Sequence, residues 1–203
     1  MHIIFGGGAR KGRGRQDRAC SPLRRVGGGS HGKTVTAPLT PDALFARLDA
    51  LGIAHRTHTH APVFTVEEAK ALRGALPGGH CKSLFLKDKK GGLWLVVALE
   101  ECRVNLKALA DRLVAPRFSF GSAELLVAVL GVKPGSVTPF AAINDREARV
   151  TVVLQRAMLE HDPLNYHPLE NDRTTAIAPG DLLRFLEASG HRPRIVEIPT
   201  RAD

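Results

Sequence analysis

Hydrophobic positions recur with two different periods along this chain of 203 residues. Leu44, Phe45, Leu48 and Leu51 fall three and four residues apart, the spacing of one helical face. Thr40 can cap that helix, Pro41 fits its first turn and Gly52 ends it, so ordered structure is expected to begin at Thr40-Pro41. "IAHRTHTH" then reads as a strand. "TVEEAKALRG" reads as a helix, opened by a capping box of Thr65 with Glu68 and stopped near Gly74. Residues 82–88 and 93–100 form two strands around the turn Lys89-Lys90-Gly91-Gly92, a hairpin. Helices are expected at about 104–113 and 122–130, the second closed by Gly131. "RVTVVLQ" is a strand, "TTAI" a short strand, "PGDLLRFLEASG" a helix ending at Gly190, and "PRIVEI" a last strand. Hairpin-linked strands mixed with helices predict an α+β fold with a mixed, largely antiparallel sheet and flanking helices.

Composition divides the chain in two. Seven of its nine net positive charges fall in residues 1–36, where eight lysines and arginines face only Asp17. That stretch is rich in glycine and arginine and too poor in apolar residues to offset the entropy of ordering. Residues 1–37 are therefore expected to be a disordered basic tail, and residues 38–203 the folded domain. Such a tail could grip RNA by charge, but a passive extension is the preferred reading. The body, nearly neutral, would not be read as a nucleic-acid binder from charge. No apolar run approaches the roughly 18 residues of a membrane span. Cys20, Cys81 and Cys102 are odd in number and widely spaced, which fits neither a disulfide framework nor a zinc site. A cytoplasmic protein with reduced thiols and no membrane partner is expected.

Several residues stand out against this frame. Lys82 shares a strand face with Leu84 and Leu86, so either its stem lies along apolar surface or its head forms the cationic floor of a pocket. His58 and His60 form HxH on a strand, a spacing that could bind metal, but no third ligand is evident. Cys81 could be an activated thiol, although a thiol at a strand start is more often packed and inert. The segment "GVKPGSVTPFAAIND" has Pro134, Gly135 and Pro139 bracketing Ser136, Val137 and Thr138. A loop so stiffened can present main-chain N–H groups to an anion or a carbonyl, or can simply connect two elements. In "NYHPLENDRTTAI", Pro168 keeps His167 out of helical conformation among polar neighbours.

Together, "APVFTVEEA", "CKSLFLKDKKGGLWLV", "GVKPGSVTPFAAIND" and "NYHPLENDRTTAI…DLLRFLEASGHRPRIVEI" resemble the prolyl-tRNA editing (YbaK-like) superfamily, in family order across residues 41–198. Within it they look most like the free-standing alanyl-tRNA(Pro) deacylases of the ProX type. The resemblance implies the fold of the prolyl-tRNA synthetase-associated domains. It also implies hydrolysis of the ester joining a wrong amino acid to tRNA(Pro), with no metal, no cofactor and no covalent nucleophile. It places the family lysine on Lys82, the family GxxxP loop on Gly135 to Pro139 and the family histidine on His167. Lys82, Gly135 and His167 are then the expected catalytic residues, with Ser83, Ser136, Val137, Thr138 and Pro139 binding substrate. A ribose hydroxyl of the terminal adenosine would help to position or activate the water. Family members often carry Asn after the lysine, where this chain has Ser83. The implied partners are mischarged tRNA(Pro), most of all Ala-tRNA(Pro), and prolyl-tRNA synthetase. Rival readings are a Cys- or Ser-tRNA deacylase of the same fold and a non-catalytic tRNA-binding module. The editing mechanism requires Lys82 and the 135–139 segment to converge on a cavity scarcely larger than a methyl side chain.

Overall fold

The computed structural model describes residues 37–60 and 76–201. The expected tail, apart from Ala37, and the helix expected after Thr65 lie outside the described residues. Helix α1 spans Pro41–Ala50, and the Thr40 hydroxyl accepts the Ala43 N–H at 3.3 Å as its cap. Strand β1 (His55–Thr59) follows, then the hairpin of β2 (Gly79–Asp88) and β3 (Leu93–Leu99). Helix α2 (Leu106–Leu113) is capped by Asn105 and α3 (Ala123–Leu130) by Ser122, each through a side-chain oxygen that accepts a first-turn N–H. Gly131 closes α3 at φ 67°, as its position in the sequence predicts. Strand β4 (Phe118–Phe120) lies between these two helices. A 3-10 turn at Pro139–Asn144 leads into β5 (Val150–Gln155), and the short strand β6 (Leu164–Tyr166) precedes β7 (Arg173–Ile177). Helix α4 (Pro179–Ala188) and β8 (Arg194–Val196) complete the described chain.

The strands form a mixed sheet in the order β1-β7-β6-β2-β3-β5-β8, with β4 also on β2. Pairs β1–β7, β6–β7, β2–β3 and β2–β4 are antiparallel, while β2–β6, β3–β5 and β5–β8 are parallel. The α+β expectation is met. The sequence pattern does not announce β4 or β6, because three residues are too few to establish a period of two. The last strand covers only Arg194–Val196 of the expected "PRIVEI".

The position of the site follows from how β2 changes neighbours. At Gly79 and His80 it pairs with β6, and at Leu86 it begins to pair with β4. Gly78 permits the first contact. It has φ 98°, and a Cβ there would run into the Pro163 carbonyl, which accepts the Gly79 N–H at 2.8 Å. Between these two pairings the edge of β2 opposite β3 meets no strand among the described residues. A sheet that parts in this way leaves a seam.

Packing fixes what stands along the seam. Phe140, fully buried, meets Tyr166 of β6 edge-on at 5.9 Å and Phe185 of α4 at 5.4 Å. Each such ring contributes about 2–3 kcal/mol by burial. Asn144 donates to the Leu130 carbonyl at 3.0 Å and accepts the Leu39 N–H at 2.9 Å, which ties the turn to the end of α3. The loop that enters this turn is thereby held beside β6. On the other side, Asp145 is buried and accepts from Val150 N (2.8 Å), His191 Nε2 (3.2 Å) and Arg149 Nε (3.3 Å). Burial alone would raise its pKa, but these donors hold it below the ordinary carboxylate value. No helix of the described residues is long and apolar enough to cross a membrane.

Candidate functional site

A cavity of about 360 Å³ opens along the seam. Lys82 and Ser83 of β2, Gly135 and Val137 of the proline-bounded loop and His167 after β6 all line it. Residues more than eighty positions apart in sequence thus meet in one space. The cavity is far larger than a methyl group requires, so the expectation of a tight methyl-sized space is corrected. It is larger because it runs along the parted strands.

Lys82 is half-buried, and its Nζ donates to the main-chain oxygen of Glu100 at 2.8 Å. The ammonium is therefore held at the cavity wall. An ammonium has three donors, and this is the one bond Lys82 makes among the described residues. No carboxylate there pairs with it.

The loop offers fewer main-chain donors than its sequence suggests. Ser136 N–H is spent on the Lys133 carbonyl at 3.0 Å, and Pro139 has none. The Thr138 hydroxyl accepts the Phe140 N–H at 3.4 Å and caps the 3-10 turn. Ser136, Thr138 and Pro139 are buried and do not line the cavity. They shape the loop from behind. The N–H groups of Gly135 and Val137 have no partner among the described residues. Gly135 has φ 90°, a conformation that costs other residues strain, and its nearest outside atom for a Cβ is Asn171 Nδ2 at 3.9 Å.

His167 Nδ1 donates to the Arg173 carbonyl at 3.0 Å. In the neutral ring the proton then sits on Nδ1 and Nε2 is the acceptor. The ring lies 6.5 Å from that of His60, whose Nε2 is 3.0 Å from the Thr174 hydroxyl. His60 lines this cavity, whereas His58 lines a second one of about 490 Å³. The HxH spacing therefore divides its two rings between two spaces. Among the described residues no three His, Cys, Asp or Glu side chains gather as a metal site.

Cys81 also lines the cavity. Burial pushes its thiol up to about 12, and contact with the Tyr166 hydroxyl only partly opposes this. Such a thiol stays protonated near neutral pH and is a poor nucleophile. Tyr166 in turn donates to Met158 Sδ at 3.2 Å.

Glu100, Asn165, Asn171 and Thr174 line the cavity as well, and the sequence reading does not single out any of them. Glu100 was within reach of that reading. The turn after Asp88 fixes the hairpin register, which pairs Lys82 with Ala98 and hence sets Glu100 opposite His80. Asn165 carries no comparable signal, because its place depends on the pairing of β6.

Comparison with known proteins was made by sequence and by structure. The model of the aminoacyl-tRNA editing domain family matches residues 60–185. A zebrafish (Danio rerio) protein named prolyl-tRNA synthetase associated domain-containing protein 1 is 40% identical over 151 residues, covering 73% of this chain and 82% of its own. The prolyl-tRNA editing protein ProX of Acetoanaerobium sticklandii is 32% identical over 157 residues, covering 77% of this chain and 96% of its own. Among solved structures, a proposed trans-editing enzyme for prolyl tRNA synthetase superposes with a TM-score of 0.62 at 18% identity, covering 79% of this chain and 97% of that one. At that identity the likeness concerns the fold.

Proposed function

The chain belongs to the aminoacyl-tRNA editing domain family, and from that premise we propose that it hydrolyses mischarged tRNA(Pro), above all Ala-tRNA(Pro), in trans to the synthetase. The observation that carries this reading is the convergence of Lys82, Gly135 and His167 on one cavity along the β2 seam.

The chemistry asked of the site is modest. The ester carbonyl sits against the Gly135 and Val137 N–H groups, which stabilise the developing oxyanion by about 3 kcal/mol each at best. The Lys82 ammonium, held by the Glu100 carbonyl, orients the substrate and adds positive potential. Ser83 meets the terminal adenosine, a ribose hydroxyl positions the attacking water, and His167 closes the pocket. The thiol of Cys81 takes no covalent part. Mischarged tRNA(Pro) is the ligand, and prolyl-tRNA synthetase is the source of that error and a docking partner. A synthetase pocket built for proline rejects the smaller alanine weakly, since missing methylenes are worth only about 1–3 kcal/mol. A second, separate site clears what the first lets through.

The test is a deacylation panel with tRNA carrying Ala, Cys, Ser and Pro. Fastest release of alanine with proline retained supports the reading. Fastest release of cysteine or serine transfers the activity to the rival substrates. Binding without release from any of the four reduces the chain to a tRNA-binding module.

A further inference from the structure

The second cavity, of about 490 Å³, takes no part in the reaction described above, yet it adjoins the first. Asn165 lines both. The strand registers put the two cavities on one face of the sheet. Arg56 stands opposite Ala176 and His58 opposite Thr174, while Asn165 stands beside both Ala176 and His80. Residues side by side in register project to the same face, and residues two apart on a strand do likewise. Arg56 and His58 therefore lie on the face that carries Lys82. From His60 in the first cavity to Arg56 in the second is a run of four strand residues, or about 13 Å. An extended dinucleotide covers such a span.

The lining of the second cavity suits a nucleotide. Arg56 is exposed and His58 half-buried, and neither has a partner among the described residues. Asp181, the carboxylate among the described lining residues, is engaged by Arg184 at 2.6 Å. The Arg56 guanidinium is thus a free fork for a phosphate. Pro77 and Pro163 give an apolar wall against which a flat base can lie, and the His58 ring offers a stacking face. That wall is fixed from behind. The Pro77 carbonyl accepts Asn165 Nδ2 at 2.9 Å, and the Pro163 carbonyl accepts the Gly79 N–H at 2.8 Å. The volume falls within the roughly 300–1,000 Å³ of sites that enclose small ligands.

We propose that the second cavity holds the cytidylate next to the terminal adenosine of the tRNA, with its base against Pro77, Pro163 and His58 and its 5′ phosphate on Arg56. This rests on the deacylase reading and deepens it, by naming where the RNA strand leaves the reaction site. The terminal adenosine carries the ester in the first cavity, so the nucleotide before it must lie in an adjoining space. Lys82 and Arg56 are the lysine and the arginine of the two linings, one for each cavity. A body with little net charge then grips tRNA through its single-stranded end rather than across a basic surface.

The test measures kcat/KM for alanine release from Ala-tRNA(Pro) with a native 3′ end and with two altered ends. In one, a neutral methylphosphonate joins the two cytidines. In the other, the second cytidine is an abasic sugar. The neutral linkage should cost the wild type about tenfold, since a charge-assisted contact is lost, and the abasic end about fivefold or more. Arg56→Gln changes an exposed side chain, so the fold is kept. It should lower release from the native substrate by about tenfold, and the neutral linkage should then cost no more than about twofold further. Either altered end costing the wild type less than about twofold overturns the inference. So does a native-substrate loss in Arg56→Gln of less than about twofold, or one that adds in full to that of the neutral linkage. In each of these cases release from the native substrate by the wild type leaves the deacylase reading standing. A wild type that releases no alanine from native Ala-tRNA(Pro) removes that reading, and this inference falls with it.

Discussion

Strand β2 carries a charged side chain near each end, and the fold treats the two oppositely. At the turn end Asp88 is 6% exposed, and both oxygens of its carboxylate are hydrogen-bonded. Oδ1 accepts the Lys90 and Gly92 N–H groups at 2.8 and 2.9 Å, and Oδ2 accepts the Trp94 indole N–H at 3.0 Å. Burial would raise the Asp88 pKa, but these donors outweigh it and hold the group below the ordinary carboxylate value. At the seam end Lys82 is half-buried and makes one bond, to a carbonyl. A charge that closes a turn is saturated by its own backbone. The charge at the seam keeps donors in reserve beside an open space.

Removing the saturated charge should have the larger effect on stability and the smaller effect on chemistry. Asp88→Ala leaves three donors without their acceptor and is expected to cost about 3 kcal/mol, read by urea denaturation, while alanine release per folded molecule stays unchanged. The pH dependence has a definite sign. A carboxylate with a lowered pKa in the fold contributes stability that is whole above its unfolded value of about 4 and is lost as pH falls through the lower folded value. Asp88→Asn should therefore flatten the acid limb of the stability curve. An unaltered limb would show that Asp88 is not the saturated charge described.

The second way to sharpen the contrast lies on the far wall of the cavity. Gly135→Ala meets no close atom, so its cost is backbone strain, about 1–2 kcal/mol for a left-handed residue. The loop should relieve that strain by turning its amides out of line. Alanine release should fall by about tenfold with only a modest drop in melting temperature. Full activity in this variant would remove the loop amides from the mechanism.

Much of the architecture could be read from the sequence because its signals are local. The Thr40 cap, the Lys89–Gly92 turn, the glycine stop of α3 and the apolar runs of β3 and β5 each depend on a few neighbouring residues. The site was legible only in part. Lys82, Gly135, Val137 and His167 stand out by type and setting, and the structure brings them together. Ser136, Thr138 and Pro139 share their motif but face inward, because the 3-10 turn needs a capping hydroxyl and a proline at its start. Asn165 and Thr174 were hidden for a different reason. They enter the cavity through β6 and β7, whose places are set by pairing with β2 and β1, strands far away in the chain.

The most direct test of the seam as an editing site is single-turnover release of alanine from Ala-tRNA(Pro) by Lys82→Ala beside the wild type, at matched folded concentration. The account predicts a loss of at least about a hundredfold with a melting temperature within a few degrees of the wild type. Near-normal release by Lys82→Ala would contradict it.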